Sequence, residues 1–441
     1  MKRKSGHDTF EEYVEAKYNR PRTEGKRTTR APIFELLNKG TLTLKNNAQT
    51  CAPLGFPRHV TLYHVFRALV TDSFLDVLID IHTRGDVNLL PPTMHAQEQP
   101  SSSKHRMALT YFAQRIYLTG NGTNTLEDNF PMKRWHERAM NQKFFNMFIA
   151  HFFIEDSALT LLNQAYRAHI SLGRVLVIDE KLKRFTGASP NKRFVPNKKP
   201  KMGHWITEMT VVCDKTKLPY MVHQIPFRND SDEKVTMLGI FRSCLEIVAE
   251  DKQRASSLND IGHPPPIIVS DAYYLDGASA DALTAAGVPY LCSVNPTRMA
   301  STWKQCDKAL EGRELDWVIM KNASGHEIAM VEASVGKKKK NHVLTTAFNY
   351  RPGDSELNNL VSDAYGYYFN ACDRYNHFLA RRYWPYRRPG WENSYDDFYF
   401  SALLMNVYTL WHELCNLNRC IPWDNFTAML AASIIEAQYP E

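Results

Sequence analysis

Three aspartates far apart in the chain stand where a fold could gather them. Asp179 closes the apolar run Val175-Leu176-Val177-Ile178, Asp271 closes Ile267-Ile268-Val269-Ser270, and Asp373 lies in the helical stretch from Ala371 to His377. Carboxylates supply the hard oxygen donors that Mg²⁺ prefers, and that ion keeps coordination sites for water and phosphate oxygens. Two such ions about 3.5 to 4 Å apart can assist phosphodiester cleavage, one at the attacking and one at the leaving oxygen. Asn376, at i+3 from Asp373, shares its helix face and offers an amide oxygen. Taken singly, a strand-end aspartate is more simply a turn or helix-capping residue. Three in one consistent order weaken that simpler account.

The order comes from the elements around them. Val175 to Ile178 is a short β-branched run of the kind buried on both faces of a sheet. Trp205 to Cys213 and Tyr220 to Pro226 read as an antiparallel hairpin across the turn Asp214-Lys-Thr-Lys217. A helix over Glu233 to Glu250, the strand ending at Asp271, a helix over Gly277 to Ala286 and a strand over Val288 to Val294 follow. Three meandering strands, a helix, a strand, a helix and a fifth strand is the ribonuclease-H-like order. The fold class is therefore α/β, a ribonuclease-H-like mixed sheet with flanking helices, preceded by a helical domain and carrying a small insertion subdomain.

Upstream, apolar residues from Leu62 to Ile81 recur at three- and four-residue spacing and predict one amphipathic helix. A proline-rich loop is expected over Leu90 to His105, then helices over Met107 to Leu118, Met132 to Ile154 and Ser157 to Ile170. The aromatic stripe from Phe144 to Phe153 reads as core rather than as a cofactor site. Downstream, helices are expected from Leu357 or Ser362 to Arg382 and over Phe398 to Leu414, with a short helical tail. The predicted divisions are a mostly disordered basic arm (1–55), a helical region (56–173), the core's first part (174–297), a small β-rich insertion (298–345), the core's second part (346–415) and a tail (416–441).

Composition sets outer limits. The 441 residues are 44% hydrophobic and 23% charged, a globular balance that excludes a wholly disordered or collagen-like chain. The longest uncharged stretch, Phe398 to His412, is too short and too polar to span a membrane. The basic N-terminus has no apolar run behind it, so it does not read as a secretory signal. Eight cysteines without any Cys-x-x-Cys pattern predict a reducing compartment, buried thiols and no zinc. No phosphate-binding glycine loop and no Gly-x-Ser-x-Gly is present, which argues against nucleotide-driven and serine-hydrolase chemistry.

The net charge of +7 is mild, but its distribution is not. Residues 181 to 201 hold eight cations and no acid: Lys181, Lys183, Arg184, Lys192, Arg193, Lys198, Lys199 and Lys201. A loop of that composition directly after Asp179 would neutralise phosphates and make binding salt-dependent. Between Tyr365 and Trp391 lie ten aromatic residues and five arginines, among them Arg381, Arg382, Arg387 and Arg388. Aromatics interleaved with guanidinium groups could stack on an unpaired base while holding the flanking backbone, with Trp391 a candidate for that role. Lys337 to Lys340 could serve nuclear import, although a solvated hairpin turn is the plainer reading.

Val177-Ile-Asp-Glu-Lys-Leu-Lys-Arg-Phe-Thr-Gly187, followed by Val195-Pro-Asn-Lys-Lys-Pro-Lys-Met-Gly203, resembles the stretch around the first catalytic aspartate of piggyBac-type transposases. Ile268-Val-Ser-Asp271 is similar to the family's second aspartate segment, and Cys372-Asp-Arg-Tyr-Asn-His-Phe378 resembles its third. The resemblance spans about residues 58 to 415. It implies a DNA transposase using Asp179, Asp271 and Asp373 with two Mg²⁺ ions, for which Mn²⁺ could substitute. It further implies double-stranded DNA as partner (transposon ends and target), TTAA targets, a hairpin intermediate, a homodimer and a nuclear location, with no role for a membrane.

The chain departs from the family pattern in two places that matter. Asn376 stands where the family usually has a fourth aspartate, which removes one negative charge beside the metals. The family's C-terminal cysteine-rich module has no counterpart, since Cys415 and Cys420 lack paired partners. A domesticated, transposase-derived DNA-binding protein with weak or no catalysis is the competing reading. A metal nuclease of ribonuclease-H type that cuts without joining ends is a third.

Overall fold

The computed structural model describes residues 43–44, 55–56, 60–83, 101–121, 142–196, 198, 200–213, 218–229, 237–257, 264–294, 317–321, 326–335, 339–349, 357–380, 392–415 and 421–439. The expected N-terminal arm, the 214–217 turn and the start of the helix expected from Met132 lie outside them, apart from a short pairing of Thr43–Leu44 with Phe348–Asn349.

The single helix expected over Leu62 to Ile81 is two: α1 (Leu62–Leu69) and α2 (Asp72–Thr83). Thr61 caps α1 in a reciprocal box with His64, Val70 leaves the helical conformation, and the Thr71 hydroxyl accepts the Phe74 amide at 3.2 Å to begin α2. Helical periodicity survives the break because both helices bury the same apolar stripe. Helix α3 (Ser101–Asn121) starts inside the expected loop and turns its serines into a first turn. Helices α4 (Gln142–His151) and α5 (Asp156–His169) complete the N-terminal helical layer, with Phe152 to Glu155 outside either.

The sheet has nine strands: β1 (Val175–Arg184), β2 (Lys192–Phe194), β3 (Met202–Val212), β4 (Pro219–Pro226), β5 (Ile267–Ser270), β6 (Tyr290–Ser293), β7 (Trp317–Lys321), β8 (Glu327–Val335) and β9 (Lys339–Thr345). β4 lies beside β3 and β3 beside β1, both antiparallel; β5 and β6 then follow on the other side, both parallel. Helices α6 (Met237–Ser257) and α7 (Gly277–Ala285) make the crossovers. The stretch read as an insertion subdomain supplies β7, β8 and β9, and β9 pairs antiparallel with β6. Those strands thus extend the central sheet.

β1 is buried on both faces, and alternation sends its side chains to two different cores. Leu176 and Ile178 join the large core shared with α1 to α5, α6, α9 (Glu392–Leu414) and α10 (Trp423–Gln438). Val175 and Val177 face a smaller core under α8 (Leu357–Ala380), which supplies Val361, Ala364, Tyr365, Tyr368, Ala371 and Cys372. The expected tail is thus a sixteen-residue helix that packs on α3. Their approach is so close that a Cβ on Gly120 would fall 1.7 Å from the Thr427 hydroxyl. Arg115 of α3 and Asp396 of α9 form a buried ion pair at 2.7 Å, and the Asp396 carboxylate also accepts the Ile154 amide.

Among the described residues no single helix is long and apolar enough to cross a membrane. Cys213, Cys244, Cys292, Cys372 and Cys415 form no disulfide among the described residues.

Candidate metal centre and basic surface

Parallel pairing explains why two acids ninety-two residues apart meet. Ile178 of β1 stands in register with Ser270 of β5, so the next residues along, Asp179 and Asp271, emerge side by side. Asp179 was expected to end its strand; it sits at the middle of β1, which continues to Arg184 because β3 pairs with it throughout. Glu180, next along β1, turns its carboxylate into the same space. Oxygens of Asp179, Glu180 and Asp271 all lie within 4.8 Å of one another.

Backbone amides orient two of the three carboxylates. Asp179 Oδ1 accepts the Glu180 amide at 2.8 Å, and Asp271 Oδ1 accepts the Tyr273 amide at 2.8 Å. Lys198 Nζ stands 2.6 Å from Glu180 Oε1, while Glu180 Oε2 is buried with no hydrogen-bond partner among the described residues. Burial, reinforced by the Glu180 charge, raises the Asp179 carboxyl well above the usual range and Asp271 to about 6. Burial alone would lower the Lys198 ammonium, but Glu180 above all, with Asp179 and Asp271, outweighs it and raises it. Crowded carboxylates around an orphaned buried oxygen form an all-oxygen donor set, which fits Mg²⁺ or Mn²⁺.

Helix α8 lies across the sheet on the Asp179 side. Tyr365 OH reaches Ser293 Oγ at 3.2 Å, and Cys372 Sγ contacts Thr210 Oγ1 at 3.0 Å and the Val177 carbonyl at 3.8 Å. One turn on, buried Asn376 donates its amide to Glu208, a fully buried carboxylate directly opposite Asp179 in the β1–β3 ladder. Among the described residues, Glu208 Oε1 and Asn376 Oδ1 have no hydrogen-bond partner. Burial pushes Glu208 to about 8, with Lys181 and the Asn376 amide opposing and Glu180 and Asp373 adding to the rise. Asp373 is exposed on α8 and acts electrostatically on Glu208 and Cys372; it is not one of the three acids within 4.8 Å of each other.

Five of the eight cations in the stretch expected as a loop lie on strands. Lys181, Lys183 and Arg184 lie on β1, and Lys192 and Arg193 on β2, the short edge strand that pairs with β3. Arg184 and Lys201 are exposed, Lys181, Lys183 and Lys198 half-buried. Lys192 Nζ donates to the Gly187 carbonyl at 2.7 Å. The Arg193 guanidinium lies over the rings of Trp205 (4.8 Å) and Phe227 (4.4 Å), so it is engaged in holding the hairpin down. Lys199, Arg381, Arg382, Arg387, Arg388 and Trp391 lie outside the described residues.

Sequence reasoning passed over Glu180 and Glu208. Glu180 is adjacent to Asp179 in a strand, where period-two alternation assigns neighbours to opposite faces. Glu208 did leave a signal: it is the lone charge in the apolar run Trp205 to Cys213.

No family model matches this chain, and no curated protein does. Among solved structures it is similar to a piggyBac transposase in a cryo-EM synaptic complex with hairpin DNA, at 13% sequence identity and a TM-score of 0.62. The match covers 88% of this chain and 83% of that one, so the likeness extends over nearly the whole fold.

Proposed function

We propose that this chain is a piggyBac-like DNA transposase that cleaves DNA strands with a divalent metal and transfers them, acting in the nucleus as a homodimer. The observation that carries the reading is the meeting of Asp179, Glu180 and Asp271 at neighbouring parallel strands, next to a cationic hairpin. The order β4-β3-β1-β5-β6, with β3 alone running opposite to the other four, supports a ribonuclease-H-like core. The likeness to a transposase bound to hairpin DNA supports the same class.

In this reading Asp179, Glu180 and Asp271 hold Mg²⁺, with Asp373 and Asn376 approaching from α8. The bound metal would supply Lewis-acid activation of an attacking oxygen and stabilisation of the leaving one. Lys198 offsets the carboxylate charge, and Lys181, Lys183, Arg184, Lys192 and Lys201 hold the phosphates of the duplex. Water attacks a phosphodiester and releases a 3′-hydroxyl. That hydroxyl attacks a phosphodiester of the opposite strand, closing a hairpin and expelling a 3′-hydroxyl on the flanking DNA. A second water opens the hairpin, and the regenerated 3′-hydroxyl attacks a target phosphodiester and expels a target 3′-hydroxyl.

The bond between Asn376 and Glu208 favours a second reading, a transposase-derived DNA-binding protein without cleavage, because it occupies a position where an acid would otherwise face the metals. The two separate in one experiment. Mg²⁺-dependent strand cleavage by the purified protein, lost in Asp271→Ala, supports the transposase. DNA binding without cleavage on nicked, hairpin or duplex substrates leaves the second reading alone.

A further inference from the structure

Only three large hydrophobic side chains are strongly exposed among the described residues, and two of them form a pair. Phe194 is 60% exposed and Met202 37%, and they face each other across the β2–β3 ladder. Strand alternation explains the direction: Arg193 is drawn onto Trp205 and Phe227, which turns Phe194 to the open side.

The hairpin under this pair is well fastened. Val195 N donates to the Lys201 carbonyl at 2.7 Å and Lys198 N to the Val195 carbonyl at 3.2 Å, closing the turn. Gly203 lets β3 approach β1 so closely that a Cβ there would lie 2.0 Å from the Lys183 carbonyl oxygen. The next residue, His204, is stacked between Phe185 and Tyr395 at ring distances of 4.7 and 4.4 Å.

The surroundings say what covers it. From Lys181 to Thr207 the chain carries eight cations and no acid, and Arg184 and Lys201 are exposed within this segment. A cationic rim around an aromatic side chain matches a ligand that is anionic along its backbone and flat and apolar at its core, which is nucleic acid with an accessible base face. The pair also lies at a defined reach from the carboxylates. Arg184, paired with Gly203 beside Met202, is five residues along β1 from Asp179, roughly 17 Å at the usual strand rise. That is about five nucleotides at 3.4 Å each.

We propose that Phe194, backed by Met202, is a wedge that stacks on an unpaired DNA base about five nucleotides from the carboxylate centre. This rests on the DNA-binding part of the reading above, and it adds a recognition element for distorted or unpaired DNA.

The test is equilibrium binding of the full chain to two DNAs, a continuous duplex and the same duplex with one unpaired 2-aminopurine, each over a range of salt. Phe194→Ala is expected to weaken binding to the unpaired-base DNA about tenfold, as one lost base–aromatic stack implies. It should also abolish the quenching of 2-aminopurine, leave continuous-duplex affinity within about twofold, and leave the salt slope intact, since no charge is removed. Phe194→Trp should restore both signals. Lys201→Ala should weaken both DNAs alike and flatten the salt slope. Equal affinity of wild type and Phe194→Ala for the unpaired-base DNA overturns the wedge, as does a change in oligomeric mass in Phe194→Ala, which would assign the pair to a protein interface. If the wild-type chain binds neither DNA, the transposase reading itself falls.

Discussion

Asn376 donates its side-chain amide to Glu208, whose strand partner is Asp179. Asn376 is therefore tied to a buried carboxylate on the neighbouring strand, the cross-strand neighbour of Asp179. Replacing it by an acid would set two carboxylates at hydrogen-bond distance in a buried space, where like charges resist joint ionisation. Asn376→Asp is expected to lower the melting temperature of the metal-free protein and to enlarge the stabilisation by Mn²⁺. Melts in chelator and in Mn²⁺ measure both; equal shifts for variant and wild type would separate Asn376 from the metal site.

Glu180 shares its site with Asp179 and Asp271 and carries the orphaned oxygen. Glu180→Gln removes one charged donor and the partner of Lys198 while preserving shape. Mn²⁺ affinity, read by electron paramagnetic resonance, should fall about tenfold or more, a loss on the scale of disturbing a metal's supporting shell. Circular dichroism should be unchanged. Undiminished Mn²⁺ binding would remove Glu180 from the donor set.

Arg115 and Asp396 are both almost fully buried, and the guanidinium also lies 3.8 Å over the Phe400 ring. Arg115→Met removes the guanidinium that faces this buried aspartate, so the unfolding free energy should drop by about 3 to 5 kcal/mol. The double variant with Asp396→Asn should recover part of the loss. Urea denaturation measures each; a single variant within about 1 kcal/mol of wild type contradicts the assignment of this pair as a buried ionic contact.

His204 is buried between two rings, and burial first, then the charges of Arg228 and Lys192, lower its pKa to about 4. The folded state therefore holds the imidazole neutral, while the unfolded chain takes up a proton below about 6.5. Its contribution is fully present above pH 6.5 and is lost as pH falls toward 4, at most about 3 kcal/mol. His204→Phe should flatten the stability profile in that window. Urea midpoints at pH 7, 6, 5 and 4.5 measure it, and parallel profiles would contradict it.

The sheet was legible because its strands are short apolar runs bounded by turn residues, and the run-then-acid pattern at Asp179 and Asp271 marked strands that the fold sets side by side. Local pattern could not reveal that β7, β8 and β9 join the same sheet, because pairing between β6 and β9 is a long-range choice made by backbone hydrogen bonding rather than by periodicity. It also missed the break at Thr71, where one cap hydroxyl divides a continuous apolar stripe. At the site, two of the three clustered acids were found from strand ends. Glu180 was missed because alternation hides it, and Glu208 because a lone acid in an apolar strand reads as an exception until its partners are known.

The pairing of Arg115 with Asp396, and of α3 with α10 through Gly120, has a consequence for synthesis. The N-terminal helices leave the ribosome well before the segments that complete their core, since Arg115 and Asp396 are 281 residues apart. Their apolar faces must wait uncovered until α9 and α10 have emerged, so this half of the molecule closes late in its own synthesis.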